Sequence, residues 1–272
     1  MKIILSADDF GRSHSRNLAI DEAMKKDLIK STALMINSDY TLEAIKLARG
    51  GGYLDRVHLH LSLAYGEEIS GNSKPLDPSF AVCEVFCENG EFKHPFYNEL
   101  DFWKYCEVTY KELSAQYARF KELTAGQANY DHLDVHLYNN RSFPFASAYN
   151  ELIRNYKISS ARYFGVQHYT LEYSDFEAFR IKLASLLCGN EAYLCKSCNI
   201  DYYLTRKEEF QNDNIVELYV HPDYIDGILM DKTISCFDHE MFPLDKNIAA
   251  IKSSGVDFIS WRDANNLKVA RW

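Results

Sequence analysis

Short unbroken apolar runs alternate along the chain with longer stretches in which apolar residues recur at helical spacing. Lys2–Ser6 (KIILS) is the first run, and Leu18–Ile29 follows with Leu18, Ile20, Ala23, Met24 and Leu28 spaced as on a helix. Thr32–Ile36 is a second run. The helical stretch Thr41–Ala48 after it stops at Gly50-Gly51-Gly52. Val57–Leu63 is a third run, and Phe102–Leu123 is the longest helix expected, with Tyr105, Val108, Leu113, Tyr117 and Phe120 along one side. His132–His136, Ala161–Phe164, Tyr202–Leu204, Val216–Val220 and Phe258–Trp261 are further runs of strand length.

Strands that are apolar throughout, each followed by a helix, predict a parallel sheet covered on both faces. Seven or eight such units in 272 residues fit a (β/α) barrel. An open doubly wound sheet is the competitor, but Ala7-Asp8-Asp9-Phe10-Gly11 stands where its Gly-rich phosphate loop would follow the first strand. The barrel is therefore expected. No repeat and no Pro/Gly/Ser linker marks a boundary, so 1–272 reads as a single domain. Tyr65–Asp101, with Gly66, Gly71, Pro75, Pro78 and Gly90, is too long for a barrel loop and reads as an insertion near the active-site mouth.

Composition narrows the function. The chain is 47% hydrophobic with 12 Gly and 6 Pro, which excludes a disordered or low-complexity protein. Its net charge of −9 repels phosphate backbones, so no nucleic-acid partner is expected. The apolar runs are too short for a signal peptide or a membrane span, so no membrane association is expected. The seven cysteines are scattered and odd in number, which fits reduced thiols and a cytoplasmic protein. Cys195-Lys-Ser-Cys198 has half the spacing of a zinc or redox site, without a matching second pair.

Four predicted strand ends carry residues able to bind a metal or move a proton. Asp8 and Asp9 are adjacent carboxylates, which on an extended chain point to opposite sides and can take different tasks; capping the next helix is the plain alternative. His58 and His60 share one face of the third strand. His132, Asp134 and His136 align on one face of another, and 132 and 136 would be neighbours even on a helix. His221 ends the run Glu217–Val220 and is stiffened by Pro222. A buried, hydrogen-bonded histidine is the plain reading of each imidazole taken alone. Together, carboxylates and imidazoles form a mixed N/O set suited to Zn²⁺ and also to Mn²⁺, Fe²⁺ or Ni²⁺.

At these residues the sequence resembles the YdjC-like carbohydrate deacetylases. Ser6-Ala7-Asp8-Asp9-Phe10-Gly11 is similar to that family's opening N/S-A-D-D-F-G, and Ser31–Asn37 to its S-T-S-L-M-V-N. Leu59–Leu63 resembles L-H-L-N-L, His132–His136 resembles H-L-D-S-H, and Glu217–Pro222 resembles E-L-M-V-H-P. The resemblance implies a deformed (β/α) TIM-like barrel and a metal-dependent hydrolase removing acetyl groups from N-acetylated mono- or oligosaccharides. It implies one divalent ion, magnesium or zinc first, with manganese, nickel or cobalt as alternatives. It assigns Asp9, His60 and His136 to the metal, Asp8 to the general base, His221 to the general acid, and Arg162 to a place against the base. Tyr138, Asn37 and His132 become candidate substrate-binding residues, His132 alternatively a support behind the metal ligands.

The sequence departs from the family pattern at Val135, Tyr138, Ser62 and Asp223. None of these is in the metal set, but they alter the expected pocket wall. Tyr138, and more vaguely Tyr65 and Trp103, offer a face for stacking a sugar. A metal-dependent amidase acting on a non-sugar amide and a catalytically silent carbohydrate-binding barrel are the alternatives. A homodimer is a possible assembly.

Overall fold

The computed structural model describes residues 1–63, 73–92, 104–136, 143–162, 193–233 and 242–267. Seven parallel strands form its centre: β1 (Lys2–Phe10), β2 (Ser31–Leu34), β3 (Val57–Leu61), β4 (His132–Val135), β5 (Ser160–Arg162), β6 (Tyr193–Cys198) and β7 (Ile215–Val220). Each pairs with the next, and β7 returns to β1 with Lys2 opposite Ile215 through Ala7 opposite Val220. The ring is a nearly closed barrel. An eighth strand, β8 (Asp257–Ile259), does not take a full place in it. It pairs with Lys2–Ile4 of β1, and β2 pairs with Ser6–Phe10. Because β7 occupies one edge of β1, β8 and β2 divide the other between them, which deforms the barrel.

Helices α1 (His14–Lys25), α2 (Thr41–Gly51), α3 (Cys106–Thr124) and α4 (Phe143–Tyr156) follow barrel strands or lead into them. Helix α1 starts earlier than its apolar spacing predicts, because Ser13 Oγ caps it by accepting the Arg16 amide. It leaves Leu18 exposed and buries Ala19, Ile20, Ala23 and Met24. Gly52, at φ +72°, takes the left-handed conformation that ends α2. Tyr202–Leu204, expected as a strand, instead lies in helix α5 (Ile200–Thr205), where the Asn199 side chain caps the Tyr202 amide. A three-residue apolar run fits either period, and the cap decided it. The strand of that unit is β6, which contains Cys195 and Cys198. That segment is extended rather than the turn of a zinc knuckle, and the thiol of buried Cys198 is pushed well up by burial.

Alternation sorts the strand residues into two populations. Ile3, Leu5 and Ala7, like Leu59 and Leu61, Leu133, and Val216, Leu218 and Val220, pack in the main core outside the ring. The other face points inward. At the floor of the barrel Ile4 and Ile215 pack with Trp261 and Ala264 of helix α7 (Trp261–Asn266), which Ser260 and Asp263 cap reciprocally; helix α6 (Leu244–Lys252) precedes β8. Above that floor the inward face is polar.

The described part of the insertion, 73–92, carries a short helical turn at Pro78–Ala81 and a small hairpin, Cys87–Glu88 with Glu91–Phe92. Phe80, Phe86 and Phe92 pack together inside it. Glu112 of α3 anchors it, accepting the amides of Leu76 and Asp77 at 2.8 and 2.7 Å. One turn on, Gln116 donates to Glu112 and to Ser62 O, and its Oε1 accepts the Ser62 amide. Ser62 lies two residues after His60, so α3 fixes both the insertion and the end of β3.

Burial outweighs these hydrogen bonds and pushes the Glu112 carboxyl up to about 7. Below the ordinary value of 4.5 the group is protonated folded and unfolded, and above about 7 it is ionised in both. Between the two, only the folded state keeps the proton, so stability falls as pH rises. Glu112→Gln should remove this component. Urea denaturation of wild type and variant should show their stability difference changing by on the order of 3 kcal/mol between the two pH limits.

Candidate active site

The polar inward face gathers at the carboxyl ends of the strands. By alternation Asp8 continues the inward series of Ile4 and Ser6, and Asp9 should point outward. It does not. Asp9 sits at φ +71°, and the β1–β2 register shifts between Ala7 and Phe10. This left-handed residue, a conformation Asp tolerates better than most side chains, turns the second carboxylate into the same mouth as the first. The expectation that the two acids face opposite sides is corrected by that single backbone angle.

Asp9, His60 and His136 form a buried cluster whose ligand atoms all lie within 4.8 Å of one another. Asp9 Oδ1 is 2.7 Å from His136 Nδ1 and 3.4 Å from His60 Nε2. Neither approach has hydrogen-bond geometry, and Asp9 Oδ1 and His60 Nε2 are buried atoms without a hydrogen-bond partner. Buried polar atoms crowded together without a hydrogen bond between them fit a shared cation. The other Asp9 oxygen, Oδ2, takes Arg12 at 2.9 Å and Arg16 at 3.3 Å, which leaves only Oδ1 for a ligand. Burial opposes the Asp9 charge, but His136 and His60 outweigh it and hold the carboxyl well below the usual range.

Asp134 sits behind this set. One oxygen accepts from His60 Nδ1 and the other from His58 Nε2 at 3.0 Å. The register of β3 with β4, His60 opposite Asp134, places them together. Burial works against charge on His60, yet Asp134 and Asp9 raise its pKa to about 10. The Asp134 bond also commits Nδ1 as donor and leaves Nε2 facing Asp9.

Arg162, at the end of β5, is the central cation. It holds both oxygens of Asp8, at 2.6 and 3.0 Å, and both oxygens of Glu217, each at 2.9 Å, and lies 3.2 Å from Asp134 Oδ2. Trp261 Nε1 donates to Glu217 Oε1 at 3.1 Å, so the floor helix anchors the same carboxylate. His58, His132, Asp134 and Glu217 are a second group close enough to hold an ion. The Arg162 guanidinium already neutralises both of its acids.

The remaining candidates are placed as follows. His221 Nε2 lies 4.0 Å from Asp8 Oδ2, and burial lowers its pKa despite the pull of Asp9 and Asp8. His132 lies just above the floor, fully buried, stacked on Trp261 with ring centroids 3.6 Å apart and bonded to Ser160 Oγ at 3.0 Å. That places it beneath the cluster of Asp9, His60 and His136. Asn37 donates to Ser62 O at 3.1 Å, and its buried Oδ1 has no partner. Tyr138, Tyr65 and Trp103 lie outside the described residues. Sequence reasoning gave no role to Arg12, Arg16, His58 or Glu217, and none singly to Asp134. The signals were there: arginines three and seven places after Asp9, and inward parity for the other three.

The chain matches the YdjC-like protein family over residues 2–242, which includes all seven strands of the ring. It belongs to that family. Relatives include carbohydrate deacetylase 2 of Listeria innocua, 26% identical over 86% of this chain and 85% of that protein. A carbohydrate deacetylase of Listeria monocytogenes is 30% identical over 85% of each chain, and one of Vibrio cholerae 25% identical over 84% of this chain and 81% of its own. The crystal structure of an Enterococcus faecalis protein, provisionally named a cellobiose-phosphate cleavage protein, superposes with a TM-score of 0.67 over 97% of this chain and 98% of its own, at 20% identity. At that identity the likeness concerns the fold.

Removing the central cation should be costly. Arg162→Ala leaves Asp8, Asp134 and Glu217 as buried charges with lost partners, and is expected to destabilise the fold by about 3–5 kcal/mol in urea denaturation. Exposed Arg119→Ala, whose partner is also exposed, should change stability by no more than about 1 kcal/mol.

Proposed function

We propose that this member of the YdjC-like family is a metal-dependent hydrolase that removes acetyl groups from N-acetylated mono- or oligosaccharides. The observation that carries the reading is the cluster of Asp9, His60 and His136, with two orphaned buried ligand atoms at the carboxyl end of a barrel. The names of its relatives, carbohydrate deacetylases, supply the substrate class.

Asp9, His60 and His136 would hold the ion. A divalent cation there supplies Lewis acidity, polarising an acetamide carbonyl and lowering the pKa of water. Arg12 and Arg16 occupy Asp9 Oδ2 and leave Oδ1 facing the cluster, and Asp134 keeps Nε2 of His60 directed at it. Asp8 is the general base. The two-point bond from Arg162 fixes its orientation, so it meets the attacking water in one geometry. His221, whose Nε2 lies 4.0 Å from Asp8 Oδ2, delivers the proton to the leaving amine. Its lowered pKa makes it a stronger acid once protonated. The contact of the insertion with the site, where the Lys74 amide donates to Asn37 O, supports a role for 65–101 in selecting chain length. No helix among the described residues is long and apolar enough to cross a membrane.

Acetate release from N-acetylglucosamine, its phosphate and short chito-oligosaccharides, by stripped protein and after restoring single divalent ions, tests the reaction. Metal-dependent release is expected. A folded, metal-binding protein that releases acetate from none of them would refute the sugar reading and point to a non-sugar amide, or to binding alone. Two variants test the roles. His136→Ala should lose metal in a calorimetric titration and activity with it, whereas Asp8→Asn should keep metal and lose turnover by about 100-fold or more.

A further inference from the structure

The segment after His221 folds into a hairpin whose position in the mechanism no sequence motif announces. Strands Pro222–Ile225 and Ile228–Asp231 pair in register, with Pro222 opposite Asp231. Asp226 at φ +50° and Gly227 at φ +78° form the two-residue turn that sets this register. It brings Asp231 and Thr233 back against His221. Asp231 Oδ1 accepts the His221 amide at 2.9 Å, the Thr233 amide at 2.9 Å and the Thr233 hydroxyl at 2.6 Å. Thr233 Oγ1 lies 2.9 Å from His221 Nδ1.

A hydroxyl has one proton. With that proton directed to a carboxylate oxygen 2.6 Å away, the Thr233 oxygen meets the imidazole with a lone pair. Only an Nδ1–H can satisfy it. The opposite arrangement, a hydroxyl donating to a bare Nδ1, would set two lone pairs facing each other between Thr233 and Asp231.

We infer that Thr233, held by Asp231, is a positioning residue that fixes His221 in the Nδ1–H tautomer, so that Nε2 is the one ring atom on which a proton arrives and leaves. The inference rests on the reading of His221 as the general acid. In that reading Nε2 takes up a proton, forming the imidazolium, and returns it to the leaving amine, while Nδ1–H stays bonded to Thr233. Wrong-tautomer imidazole would carry its proton at Nε2 with a bare Nδ1 buried against the Thr233 oxygen, and would have no free site to be recharged.

Histidine ¹⁵N NMR on the full-length protein with zinc, at about pH 8 where an ordinary imidazole is neutral, reads the tautomer directly. The His221 signals are identified by their loss in His221→Gln. Wild type should show a protonated Nδ1 and a bare Nε2. Thr233→Val, which keeps the side-chain shape, should lose that preference and lower kcat for acetate release by about 100-fold, with KM within about twofold. Thr233→Ser should restore both. A wild-type Nε2–H tautomer overturns the proposal, as does a folded Thr233→Val protein with the wild-type tautomer and wild-type kcat. If no sugar releases acetate, the tautomer alone decides the relay, and the failure belongs to the assigned reaction.

Discussion

Four carboxylates, Asp8, Asp9, Asp134 and Glu217, are buried within one barrel mouth, and the whole arrangement depends on how their charge is balanced. Burying even one ionised carboxylate without a partner costs several kcal/mol. Arg162 binds three of them, and Arg12 and Arg16 share the fourth. The histidines do the rest: His58 and His60 donate to Asp134, and His136 lies against Asp9. The division of labour follows. Most of these oxygens are taken by arginine or histidine, and the Asp9 oxygen left over is the one that faces His60 and His136.

The same balance explains why the barrel interior is stratified. Its floor is apolar around Ile4, Ile215 and Trp261, and Trp261 joins the two layers by stacking on His132 and donating to Glu217. Above it every inward position on β3, β4 and β5 is polar: His58 and His60, His132 and Asp134, Ser160 and Arg162. Each of these side chains has its partner on a neighbouring or facing strand, so strand register rather than any loop sets the distances in the site.

Much of this was legible in the sequence because it follows period two. The apolar runs gave the strands, and the histidines at alternate positions gave the faces. What was not legible depended on single backbone angles and on pairings across the ring. The left-handed Asp9 put both adjacent acids in one place where alternation separates them. Tyr202–Leu204 was too short to reveal its period. Glu217 reads as an interruption in an apolar strand until closure sets it against Arg162. The Asp226-Gly227 turn carried a readable hairpin signal, but nothing local says that its far end reaches the histidine before it.

The shared edges of β1 have a temporal consequence. That strand, which bears Asp8 and Asp9, pairs with β2 near it in sequence and with β7 and β8 far along the chain. Its partners in the site, Arg162 and His221, likewise come from late strands. Contacts between such distant segments form slowly, because loop-closure entropy must be overcome first. Asp9, His60 and His136 come from β1, β3 and the end of β4, which are joined in chain order through β2, so ring closure adds to them only the late contacts of Arg162 and His221. The charge balance of Asp8 and Glu217 around Arg162 is therefore the last part of the mouth to assemble.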